Sequence, residues 1–151
     1  MREKNHLILA VAGSGKTQGI VDACCSLQPC ERVLVLTYTK ANQDEMRARL
    51  AAQVGLCGNV EVMGWFSFLI THFVRPFLPF LYPGKRVRGF DFESPPQRYS
   101  RTEEYKRYFN STDQVRRVHL AQIAARVKAA SGQCATRRLA RLYDRIHIDE
   151  V

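Results

Sequence analysis

Residues Ala10–Thr17 read AVAGSGKT, directly after the apolar run Leu7-Ile8-Leu9 and directly before Ile20, Val21 and Ala23 at helical spacing. This order restricts the fold more than any other stretch of the chain. His6–Val11 is expected to form a short buried strand, and Gly13-Ser14-Gly15 a loop tolerant of unusual backbone angles. A helix is expected from Lys16 onward. Strand, small-residue loop and helix is the context of a phosphate-binding loop. Amides of the loop and the first helical turn converge on an anion, and the helix N-terminus adds partial positive charge. In that reading Lys16 reaches the β- and γ-phosphates, and the Thr17 hydroxyl ligates Mg²⁺. The strict pattern G-x-x-x-x-G-K-[ST] has glycine first, where this chain has Ala10. The plainer alternative is a glycine-rich turn before an amphipathic helix with an exposed lysine.

The chain then alternates. Arg32–Thr39, RVLVLTYT, is a continuous apolar core ending in hydroxyls, which predicts a strand buried on both faces of a parallel sheet. Lys40–Val54 follows with Met46, Leu50 and Val54 on one stripe, a predicted helix. Asn59–Met63 is a third short strand. Strand and helix in alternation predict the α/β class.

From Gly64 the pattern changes. GWFSFLITHFVRPFLPFLYPG predicts a helix to about Val74, broken there by prolines, with its aromatics packed on the sheet. Lys85–Asn110 is basic and proline-marked, and reads as an irregular or partly helical excursion. Its Phe90, Phe92, Tyr99, Tyr105 and Tyr108 lie among basic side chains, a composition that suits either a nucleic-acid strand or a solvated insert. Thr112–Gly132 predicts one amphipathic helix with Leu120, Ile123, Ala124 and Val127 inward and its arginines in water. Ala135–Asp144 predicts a short helix. The final YDRIHIDEV reads as an apolar strand delivering Asp149 and Glu150 at its end. Opposite a phosphate loop, Asp149 would hold Mg²⁺ through water and Glu150 would orient or deprotonate the attacking water. Two acids at a surface strand end are the alternative.

A chain of 151 residues suits one domain. Its net charge of +9, with a pI of about 9.7, favours polyanions, nucleic acid before an anionic membrane. Five cysteines without C-x-x-C spacing predict reduced thiols in a cytoplasmic protein, not a zinc site. The apolar run from Leu7 is at the minimum length for a signal peptide, and GKT follows where a cleavage region should be, so none is expected. Trp65–Tyr82 is interrupted by Arg75, Pro76 and Pro79, so no membrane span is expected.

AVAGSGKT with alanine first, VLTYTKANQDEMRARL, GWFSF and IHIDEV, in this order, resemble the UvrD/Rep-like superfamily 1 DNA helicases. The resemblance covers nearly the whole chain and thins between Lys85 and Asn110. It implies an α/β P-loop NTPase (RecA-like) parallel sheet flanked by helices, with a short insertion, as an incomplete lobe. Residues 1–151 would be part of one ATP-binding domain: 1–84 the loop and first DNA motifs, 85–111 the basic insert, and 112–151 the helices leading to the acidic strand. The family's members are ATP-driven motors that translocate on single-stranded DNA and unwind duplex or junctions ahead. The resemblance implies ATP and Mg²⁺ as cofactors. Ala10, Val11, Ala12, Gly13, Ser14, Gly15, Lys16 and Thr17 would hold the nucleotide, and Thr17 and Asp149 the metal. Lys16 and Glu150 would be catalytic. Thr37, Tyr38, Thr39, Trp65 and Ser67 would meet DNA.

The chain departs from the family in places. Only Met1–Asn5 precede the first strand, where the family carries a glutamine segment that reads adenine. Gly64-Trp65-Phe66-Ser67-Phe68 stands for Thr-Phe-His-Ser-Phe, and Lys40-Ala41-Asn42-Gln43 for Asn-Lys-Ala-Ala. The family's second lobe would follow Val151. An N-terminal part of a helicase, weak in nucleotide binding and turnover by itself, is therefore expected. A non-motor P-loop module that binds nucleotide or nucleic acid is the alternative. A small-molecule kinase ranks below both, because the strand after the loop ends in Thr37-Tyr38-Thr39 and not in an acceptor-binding acid.

Overall fold

Strand β1 (Val33–Thr37) is buried at all five positions, as a strand apolar on both faces must be. It is the centre of a parallel sheet ordered β2-β1-β5, with β2 at Val60–Gly64 and β5 at Arg145–Asp149. The register pairs Thr37 with Gly64 on one side and with Asp149 on the other. The computed structural model describes residues 15–53, 59–95 and 99–149. The expected strand His6–Val11, residues Ala10 to Ser14 of the loop, and Glu150 lie outside them.

Alternation along the strands sends successive side chains to opposite faces. Val33 and Val35, with Val60 and Val62, pack against helices α1 (Lys16–Cys25) and α2 (Lys40–Gln53) through Val21, Cys24, Met46 and Leu50. Leu34 and Leu36 join the larger core on the other face, with Ile70, Val74, Leu78, Leu120, Ile123 and Val127. Each such side chain, fully buried, stabilises the fold by about 1.5–3 kcal/mol. β5 is less covered, and Ile148 remains 56% exposed.

The helix after β2 does not stop at its prolines. It starts as α3 (Trp65–Phe68), widens to a π-helix over Leu69–Val74, and continues as α4 (Arg75–Phe77) and a 3₁₀ turn to Phe80. The reason is local. Pro76 has no N–H, and its ring crowds the carbonyl four residues back. Ahead of it the Arg75 N–H reaches five residues back to the Ile70 carbonyl, which is π winding. The expected break is thereby replaced by a change of pitch.

The insert is also more ordered than its composition implies. Strand β3 (Gly89–Asp91) pairs in parallel with β4 (Gln114–Arg116), and a turn of helix, α5 (Tyr105–Tyr108), lies between them. The helix expected over Thr112–Gly132 is therefore shorter. A 3₁₀ turn follows β4, and α6 runs from Leu120 to Ala130. Asp113 adopts φ +59, and the Asn110 side chain accepts the N–H groups of Thr112 and Gln114. That side-chain turn, together with pairing of Val115 to Phe90, wins over the helical spacing. Helix α7 (Cys134–Leu142) leads to β5.

Tyr105 and Tyr108 are not strand-facing rings. Tyr108 is fully buried, its hydroxyl 2.7 Å from the Thr102 carbonyl, and Tyr105 stacks on Phe109 at 4.3 Å. Phe92 and Tyr99 stay exposed.

Candidate functional site

Helix α1 begins at Gly15, whose φ of 83° is left-handed and suits glycine. No side chain caps this N-terminus, and no acid sits in its first turn. An N-terminus whose cap residue offers no side-chain hydrogen bond is the electrostatic setting of an anion site. Thr17 lies in that first turn. Its hydroxyl donates to Asp149 Oδ2 at 3.0 Å, joining residues 132 apart in sequence. Asp149 itself is 6% exposed at the end of β5.

Thr37 completes the cluster. It is the register partner of Asp149 and shares its sheet face, because paired residues in a parallel ladder do so. Thr37 is fully buried, and among the described residues its Oγ1 has no hydrogen-bond partner. A buried hydroxyl left without a partner costs free energy, so such atoms mark places where a ligand or water belongs. His147, two residues before Asp149, is held below its ordinary 6.5 by burial and then by Arg145.

Among the described residues no group of three or more His, Cys, Asp or Glu is placed to hold a metal ion. One hydroxyl and one carboxylate suit a different arrangement, a Mg²⁺ ion that keeps waters and takes phosphate oxygens for the rest of its shell. The uncapped helix, the Thr17–Asp149 pair and the orphaned Thr37 hydroxyl fit that donor set.

The expected strand-contact residues divide. Thr37 is buried beside Asp149 and reaches no surface. Thr39 is exposed and caps α2, accepting the Asn42 N–H at 3.1 Å. Tyr38 is 43% exposed and Ser67 is exposed. Trp65 is half-buried, 5.7 Å from Phe68, and lines an apolar groove with Phe73, Ala121, Ala124 and Lys128. Gly64 lies under Gln43; a Cβ there would stand 2.5 Å from Gln43 Nε2. The end of the Gln43 side chain thus occupies the space beside Gly64.

Two neighbours escape the sequence reading. The Phe66 ring lies 5.5 Å from Tyr38, and the Arg117 guanidinium sits over Phe66 at 5.2 Å. Helical spacing predicts Arg117 on the wet face of a helix, whereas it lies in the turn between β4 and α6. The only signal for its placement is the aromatic at position 66 where the resemblance expects histidine.

On the opposite sheet face, His72 is buried between Arg138 and Tyr143. Arg138 Nη1 lies 2.9 Å from His72 Nδ1, and the Tyr143 hydroxyl donates to Glu61 at 2.6 Å. Among the described residues no helix is long and apolar enough to cross a membrane.

Residues 1–74 match the family model of the UvrD/REP helicase N-terminal domain. No curated protein matches the chain, and no solved structure does.

Proposed function

Because residues 1–74 belong to the UvrD/REP helicase N-terminal family, we propose that the chain supplies the nucleotide-binding lobe of an ATP-driven motor on single-stranded DNA. The observation that carries this reading is the 3.0 Å hydrogen bond from Thr17 to Asp149. The α1 amides and the loop residues Gly13, Ser14 and Gly15 hold the phosphates of ATP, and Lys16 balances their charge. Thr17 and Asp149 hold Mg²⁺, which when bound neutralises charge on the phosphate oxygens. Glu150, the next residue, orients the hydrolytic water. Tyr38, Thr39 and Ser67 face the DNA strand at the same end of the sheet. A second lobe of the same motor closes over the nucleotide.

Binding of a fluorescent ATP analogue by this chain, with and without Mg²⁺, tests the site. The expected result is Mg²⁺-dependent binding that Lys16→Ala weakens at least tenfold. Hydrolysis stimulated by single-stranded DNA in the full gene product tests the motor. Nucleotide binding without any DNA stimulation would favour the plain binding module, for which the charge of +9 already speaks.

A further inference from the structure

We propose that the groove between the α3–π-helix segment and α6 is a docking site for a partner protein, and that it takes one large apolar side chain from an acidic segment of that partner. One wall of the groove is aromatic, built of Trp65, Phe68 and Phe73. Trp65 opens α3 and its ring lies 5.7 Å from Phe68, which meets Phe73 edge-on at 5.5 Å. The other wall is a stripe of α6, where Ala121, Ala125 and Lys128 follow one another at helical spacing. These three residues are exposed, so the groove opens to solvent. Side chains longer than a methyl group at 121 and 125 would close that space onto the rings.

Size and chemistry select the occupant. The hollow measures about 210 Å³. Cofactor and small-molecule sites run to roughly 300–1,000 Å³, so this one admits a single ring or branched chain. Its lining is almost wholly apolar, and Lys128 is its one charged residue. A nucleic-acid base entering it would bury polar edges without partners, which opposes entry. A phenylalanine, leucine or methionine side chain gives up only its contact with water. Charge then selects the segment that carries it. Among the described residues no carboxylate pairs with Lys128, whereas Lys40, Lys85 and Lys106 each stand near an acid. An Asp or Glu beside the anchoring side chain neutralises Lys128, and the net charge of +9 draws an acidic partner from a distance. A buried apolar anchor supplies most of the affinity in such contacts, and the rim charge sets rate and register. Occupancy of the groove needs neither ATP nor DNA, so this site goes beyond the motor reading.

The test is selection of random, tryptophan-free peptides displayed on phage against the full chain, followed by titration of the selected peptides. Trp65 is the only tryptophan of the chain, so its emission reports entry into the groove. The expected peptides carry one large apolar residue next to Asp or Glu and shift Trp65 emission on binding. Ala125→Leu fills the hollow from an exposed helix position and is expected to weaken them at least about tenfold. Lys128→Glu is expected to weaken them roughly threefold to tenfold, and less at high salt. Ala130→Leu, exposed on the same helix but outside the groove, is expected to leave affinity within about twofold. Equal effects of Ala125→Leu and Ala130→Leu, or a selection that yields no acidic peptide of this kind, would overturn the proposal. An oligothymidylate that shifts Trp65 emission in the unaltered chain but not in Ala125→Leu would assign the groove to a base. A shift that grows with concentration of the chain alone, with a dimer in sedimentation, would assign it to a second copy. Either result overturns the proposal and leaves the nucleotide site untouched.

Discussion

Thr17 and Asp149 are joined by a 3.0 Å hydrogen bond that ties the first turn of α1 to the last residue of β5. Such a bond to a charged acceptor contributes about 1.5–3 kcal/mol. Thr17→Ala is therefore expected to lower the melting temperature and to weaken Mg²⁺-dependent nucleotide binding about tenfold or more. Thr17→Ser keeps the hydroxyl and is expected to retain most of both. Asp149→Asn is expected to remove the Mg²⁺ dependence while the chain still folds. Calorimetry and nucleotide titration read these outcomes. Nucleotide affinity unchanged in all three variants would separate the pair from any metal site.

His72 gives the fold a pH dependence. Burial, and then the charge of Arg138, hold it below its ordinary 6.5, while Glu61 opposes. Tyr143 is the remaining polar group facing it. The unfolded chain therefore takes up a proton that the folded chain refuses. Stability is full above about 6.5 and falls as pH drops below it. His119 acts in the same direction, through burial first and then Arg107 and Arg116. His72→Gln keeps an acceptor near Arg138 without a titrating ring. Its melting temperature is expected to fall less steeply on acidification; a curve parallel to that of the unaltered chain would refute the assignment.

Gly64 and Gln43 are coupled by contact. A Cβ on residue 64 meets the end of a flexible side chain, so Gly64→Ala is expected to be mild, about 1 kcal/mol or less. Gln43→Ala removes the obstacle. The double variant is expected to be more stable than the sum of the single effects, by about 0.5 kcal/mol or more in denaturant titrations. Strict additivity would show that Gln43 sits elsewhere in solution.

The insert offers a contrast between two tyrosines. Tyr108 is fully buried and Tyr99 fully exposed. Tyr108→Ala is expected to cost about 3–5 kcal/mol, and Tyr99→Ala less than about 0.5 kcal/mol. Comparable urea midpoints for the two would mean that the insert is not packed on the core.

Continuous apolar runs made the sheet legible. VLVLT is buried at every position, and α2 carries Met46 and Leu50 inward as its spacing requires. The meeting of Thr17 with Asp149 was legible because the hydroxyl opens a helix and the acid ends a strand of the parallel sheet. What escaped depended on competition between local signals. Thr112–Arg116 has helical spacing, yet the Asn110 side chain and the pairing with β3 decide its conformation. Arg117 was invisible because a cation–ring contact between distant segments has no periodicity. The basic, aromatic composition of residues 85–110 does not distinguish a buried Tyr108 from an exposed Tyr99.

The π winding at Leu69–Val74 amounts to one residue more than an α-helix needs for the same advance. Removing a single residue there would restore ordinary winding and leave Phe77 and Leu78 facing the leucines of β1, because the widened turn has already absorbed the extra residue. Chemistry in this stretch is thus under tighter control than length: Ile70 and Val74 are buried, whereas one residue more or less changes only the local pitch.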